Sequence, residues 1–144
     1  MKKSFRLISF LLVAVMIMAV PVLARENAVP WASRYIMSTC VYLDQTSSTQ
    51  FNVWFEVIAL GIMDEVGACE IKIQQSTDGE NWTTVRTFTP AEEPGMIEEN
   101  SPVHVGHVSY TGMVGCYYRA RIVQYAENSN GYGEVLDYTE TLRL

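Results

Sequence analysis

Lysine is almost missing from this sequence. Lys2 and Lys3 stand at the start, and Lys72 is the only other one. Sixteen acidic residues outnumber ten basic ones, a net charge of −6. Nucleic acids and anionic membrane surfaces are bound through basic patches, so neither is an expected partner. Histidine is nearly as scarce, with only His104 and His107. Residues three apart on a strand point to opposite faces, which excludes one ion shared by both. The sequence holds no Cys-x-x-Cys pair, no Gly-x-Ser-x-Gly and no Asp-x-Asp-x-Asp-Gly run. Structural zinc, the hydrolase nucleophile elbow and the calcium loop therefore lack their signatures. The chain does not read as an enzyme; no catalytic residue, metal or cofactor is expected.

Long apolar runs are confined to one place. After Lys2, Lys3 and Arg6, residues 7–20 are apolar except for Ser9. Pro21 ends the run, and Val22-Leu23-Ala24 leaves small residues three back and one back from a cut between Ala24 and Arg25. That is the layout of a secretory signal peptide over residues 1–24. The alternative is a retained anchor, but a spanning helix needs roughly 20 apolar residues. Cleavage is the expectation, giving a secreted, extracellular chain over residues 25–144. Seven basic residues then remain against all sixteen acidic ones, a net charge of −9. Such a charge favours solubility.

Three cysteines remain: Cys40, Cys69 and Cys116. An exported protein allows one bridge and one free thiol, with three choices of pair. The other reading, which we favour, makes all three reduced, buried small hydrophobes.

What the sequence does have is two-residue alternation, with little at helical spacing. Residues 25–33, with Pro30 and Trp31, form an N-terminal arm, and the domain is expected over 34–144. Strands are expected at 34–43, 50–60, 69–75, 82–88, 103–110, 116–125 and 135–142. In the second, Phe51, Val53, Phe55, Val57 and Ala59 share one face, while Gln50, Asn52, Trp54 and Glu56 share the other. Residues 61–67 read as a connection. Asp78-Gly79 reads as a hairpin turn, since glycine tolerates positive φ. Residues 90–102, with three prolines and four glutamates, read as a loop. Seven short strands with turns every 8 to 12 residues and no helix are the signature of an all-β, antiparallel β-sandwich.

The run Ser76, Asp78, Gly79 and Trp82, followed by Tyr118, Ala120 and Ile122, resembles a fibronectin type III domain, a fold of the immunoglobulin-like kind. The resemblance runs from about Thr49 to the C-terminus. It implies that the Ser-x-Asp-Gly-x-x-Trp segment joins the third and fourth strands, and that Tyr118 caps a corner of the sandwich. The layout as a whole, with Arg34-Tyr35-Ile36 early and Tyr117-Tyr118-Arg119 late, resembles a family of small secreted proteins of unknown function from Gram-positive bacteria. That resemblance implies no activity and no site residues. Cys116 precedes Tyr118, so an immunoglobulin-type bridge is not implied. Asp78-Gly79 is one residue too close for a sialidase Asp-box.

Aromatic residues are the candidates that remain. Trp54 and Tyr117 fall on outward parities, and Trp82 lies beside a turn. Exposed rings on a sheet stack sugars or anchor proteins. Trp54, Trp82 and Tyr117 are therefore the candidate contacts with an extracellular protein or a glycan. The competing reading is that each ring covers a sheet edge or a gap under a loop. Glu92, Glu93, Glu98 and Glu99 read as a solvated acidic loop. Arg119 and Arg121 are expected on the outer face of the sixth strand, paired with Glu70 and Lys72. Cys69 and Cys116 share parity with core residues, which points to inert thiols. A binding protein that uses loops and exposed aromatics should present a contiguous apolar patch. A carbohydrate-binding module should present coplanar rings on one face.

Overall fold

The computed structural model describes residues 34–144. The expected signal peptide, the cut at Ala24 and Arg25, and the arm at 25–33 lie outside the described residues. The described chain forms β1 Ile36–Gln45, β2 Gln50–Ser76, β3 Thr83–Phe88, β4 Ile97–Thr111, β5 Tyr117–Asn128, β6 Gly131–Tyr138 and β7 Leu142–Arg143. One 3-10 turn, Pro94–Met96, precedes β4. All seven strands join a single antiparallel sheet. The sheet curls into a half-barrel.

The all-β, antiparallel expectation holds, but the strands are cut differently. Residues 61–67 are not a connection. They are the middle of β2, which runs 27 residues without interruption. Two glycines and lost alternation suggested a loop, yet this backbone is paired on both sides. Glu65, Val66 and Gly67 face Glu99, Glu98 and Ile97 of β4, and also Glu127, Ala126 and Tyr125 of β5. Gly67 allows that closeness: its φ is +153°, and a Cβ there would lie 2.1 Å from the carbonyl oxygen of Met96.

Three further corrections follow. Residues 97–102 are strand, the first part of β4, so Glu98 and Glu99 are not loop residues. The gap between the sixth and seventh expected strands shrinks to a two-residue turn, Ser129 and Asn130, because Asn128 already pairs with Gly131. The last expected strand divides into β6 and the short β7. The hairpin turn at Gly79 is as expected, with φ +79°. Asp78 organises it by accepting from the amides of Glu80 and Asn81 and from the Asn81 side chain.

Because β2 is long and bent, its two halves have different neighbours. Residues 51–59 lie between β1 and β4. Residues 71–75 lie between β3 and β5, and β6 follows β5. The buried parities of both halves meet. Phe51, Val53, Phe55 and Val57 supply one side, and Ile71, Ile73, Tyr118, Ala120 and Ile122 the other. The rings of Phe51 and Tyr118 lie 5.3 Å apart. Burying a side chain of this size is worth about 1.5–3 kcal/mol. Thr39 of β1 donates to Asp137 of β6 at 2.6 Å, a second link between the halves.

Candidate binding face

The face is built by register. Tyr42 of β1 stands opposite Trp54 of β2, and Trp54 opposite His107 of β4. Residues opposite each other in antiparallel strands share a face. The three rings form one row: Trp54 and His107 have centroids 4.5 Å apart, Tyr42 and Trp54 6.2 Å apart with planes within 10°. The next row is Cys40, Glu56 and Val105, and the one after it Ser38, Ile58 and Val103. Beyond them the outward parity of β2 continues with Leu60 and Ile62. A register irregularity between Ile36 and Ser38 turns Met37 outward as well. Tyr42, Val103, Val105, Leu60, Ile62 and Met37 are 41–72% exposed.

Chemically, this face is a contiguous apolar surface with a ridge and a shelf. The Tyr42–Trp54–His107 row is the tall part, and the smaller side chains behind it are the low part. Glu56 is the only charged side chain among those three rows, which hold no lysine or arginine. Large contiguous apolar patches of this kind mark interaction sites.

The opposite outer face, over the second half of β2, is closed by its own charges. Glu70 accepts from Arg121 at 2.7 Å and from Lys72 at 3.0 Å. Those contacts hold its carboxyl below the usual range, with the Lys72 hydrogen bond the largest cause. Arg119 does not pair with an acid as expected. It donates to Gln74 at 2.8 Å and lies over the rings of Trp82 and Tyr138 at 4.4 and 5.2 Å. Tyr117 packs beneath Arg143.

Of the three candidate aromatics, Trp54 thus lies on the apolar face. Trp82 and Tyr117 lie on the other side and each carries a guanidinium on its ring. Tyr42, Val103 and Val105 were not singled out by sequence, and His107 was weighed there only as half of a metal pair. The signal for Tyr42 was its outward parity next to a short hairpin turn. For His107 and the valines no signal existed, because the long stretch after residue 60 hides the register of β4.

The cysteines need correction in two places. All three are unpaired. Cys116 is buried as expected, but Cys40 is exposed, at the centre of the β1 segment of the apolar face. Cys69 does not share the core with Ile71, since the register slips between Ala68 and Glu70. It lines a cleft of about 370 Å³ with Glu65, Glu99, Pro90, Pro94, Ile97 and Tyr125. Burial and then Glu134 push its thiol up, away from the reactive thiolate. In the cleft wall, Glu65 stands in register between Glu99 and Glu127.

His104 and His107 point to opposite sides, as their spacing required. His104 has Glu98 at 3.9 Å from Nδ1, while Nε2 is 2.8 Å from the Gly95 carbonyl oxygen. Its ring rests on Phe55. Nε2 thus ties β4 to the turn before it, and Glu98 lies near the other nitrogen on the same strand. Among the described residues, no group of three His, Cys, Asp or Glu side chains could hold a metal ion, and no helix is long and apolar enough to cross a membrane. No family model, curated protein or solved structure matches this chain.

Proposed function

We propose that this chain is a secreted, non-enzymatic β-sandwich of the fibronectin type III kind that binds an extracellular protein. The observation that carries the binding reading is the contiguous, nearly uncharged face of β1, the first half of β2, and β4. Burying exposed apolar area is worth about 25 cal/mol per Å², and ring-bearing patches anchor protein partners.

Strand neighbours support the sandwich reading. One group is β1, residues 51–59 of β2, and β4; the other is β3, residues 71–75, β5 and β6. The Tyr118 hydroxyl accepts from the Met113 amide at 2.8 Å, the backbone contact a tyrosine corner makes. Export rests on the sequence of residues 1–24. It predicts a released chain beginning at Arg25, found by N-terminal sequencing of the culture medium; full-length chain held in the membrane contradicts it.

The test of binding is capture of the purified chain on the native cell surface. Val105→Lys and Trp54→Ala should abolish retention, and Arg143→Ala on the other side should not. Equal retention of all variants refutes the face. A second reading, a carbohydrate-binding module, is favoured by the parallel planes of Tyr42 and Trp54. It predicts saturable binding to one sugar class on a glycan array, lost in Trp54→Ala.

A further inference from the structure

We infer that the protein seated on this face is a second copy of the same chain, packed across a two-fold axis. The inference rests on the binding reading above and goes further by naming the partner. Three features of the face point to it.

The first is charge. The chain over residues 25–144 carries −9, so two copies repel over most of their surfaces. The three rows of this face hold one carboxylate, Glu56, with His107 diagonal to it. In a two-fold contact, residue i of one copy meets j of the other, and j meets i. The Glu56 carboxylate as acceptor and an N–H of the His107 ring as donor are therefore complementary across the axis, twice. A strongly basic partner would be drawn instead to acidic rows such as Glu99, Glu65 and Glu127. A strongly acidic partner would find no lysine or arginine here.

The second is shape. A ridge of Tyr42, Trp54 and His107 runs beside a shelf of Cys40, Val105, Ile58 and Val103. A two-fold operation lays the ridge of each copy on the shelf of the other. That same arrangement brings His107 over the row that holds Glu56.

The third is area. The exposed parts of Tyr42, Val103, Val105, Leu60, Ile62 and Met37, with Trp54, Ile58 and Cys40 between them, offer on the order of 600–800 Å² per copy, close to the ~800 Å² per partner of a standard interface.

The experiment is sedimentation velocity on the exported chain from low to high micromolar concentration, with Cys40 as an independent reporter. The expected result is a reversible monomer–dimer equilibrium. Val105→Lys, which keeps the native unfolding temperature, should raise the dissociation constant at least tenfold. Glu56→Lys should also weaken the dimer, and Glu56→Lys with His107→Glu should restore it. Iodoacetamide should modify Cys40 more slowly in the dimer, but at an unchanged rate in Val105→Lys at every concentration.

A monomer throughout, with concentration-independent alkylation, overturns the inference. So does a dimer untouched by Val105→Lys. Failure of the binding reading is separable from this. A monomer whose retention on the cell surface is still lost in Val105→Lys sinks only the second copy. A monomer whose retention is unaffected sinks both.

Discussion

The two halves of β2 share a core and part company at the surface. Over residues 69–76 every charge has a local answer: Arg121 and Lys72 converge on Glu70, and Arg119 spans Trp82 and Tyr138. Over residues 54–60 the outward side chains hold one charge, Glu56, and meet their neighbours through the stacked rings of Tyr42, Trp54 and His107. Cross-strand ion pairs contribute roughly 0.2–1 kcal/mol each and leave the face content in water. An apolar face gains nothing from water and about 25 cal/mol for each Å² it hides. One strand thus carries both a charge-paired surface and an apolar one, and the proposed binding face is the apolar one.

The strongest way to break the comparison is to remove what the two sides share. Phe51 lies under both, against Tyr118. Phe51→Ala should cost about 3–5 kcal/mol. Unfolding followed by backbone amides on both halves should stay a single transition; two separated transitions would mean that the halves fold independently.

Next is charge placed on the apolar face. Val105 is 54% exposed, so Val105→Lys should change stability by no more than about 0.5 kcal/mol, measured by urea unfolding. Its effect on association should be far larger, and that inequality is what separates a binding surface from a structural one.

Acid sharpens the contrast from the other side. The Glu70 carboxyl is lowered by Lys72 and Arg121, and the Asp78 carboxyl by its bonds to Asn81, Ser76 and Glu80. A depressed native pKa means stability that is fully present above the ordinary values, 4.5 and 3.8, and is lost as pH falls through the lowered ones. Below about pH 4, hydrogen exchange at 70–81 should therefore quicken first. Glu70→Ala should remove about 0.2–1 kcal/mol and erase the Glu70 part of that response.

The smallest effect has the opposite sign. Glu65 stands in register between Glu99 and Glu127, and like charges directly opposite destabilise a sheet. Glu65→Gln should raise stability by a few tenths of a kcal/mol at low salt, with the gain fading as salt is added.

Sequence legibility followed the same division. Where alternation is strict, as at residues 50–59 and 117–126, strand, face and core were all readable from parity. Where the chain bends, at 61–70, alternation breaks because Leu60, Gly61 and Ile62 face out together and Val66, Gly67 and Ala68 turn in together. Parity reads such a bend as a loop and misplaces Cys69. The binding face was half legible. Trp54 stood out as an aromatic on a polar parity, while Tyr42 joins it through the pairing of β1 with β2. His107 and Val105 reach it through a partner some fifty residues away, and only the folded register supplies that.

The most direct measurement is a map of backbone amide shifts as the chain over residues 25–144 is concentrated. The account predicts concentration-dependent shifts gathered on residues 38–42, 54–58 and 103–107, absent in Val105→Lys. Shifts gathered on 70–74 and 119–121, or none at any concentration, would contradict it.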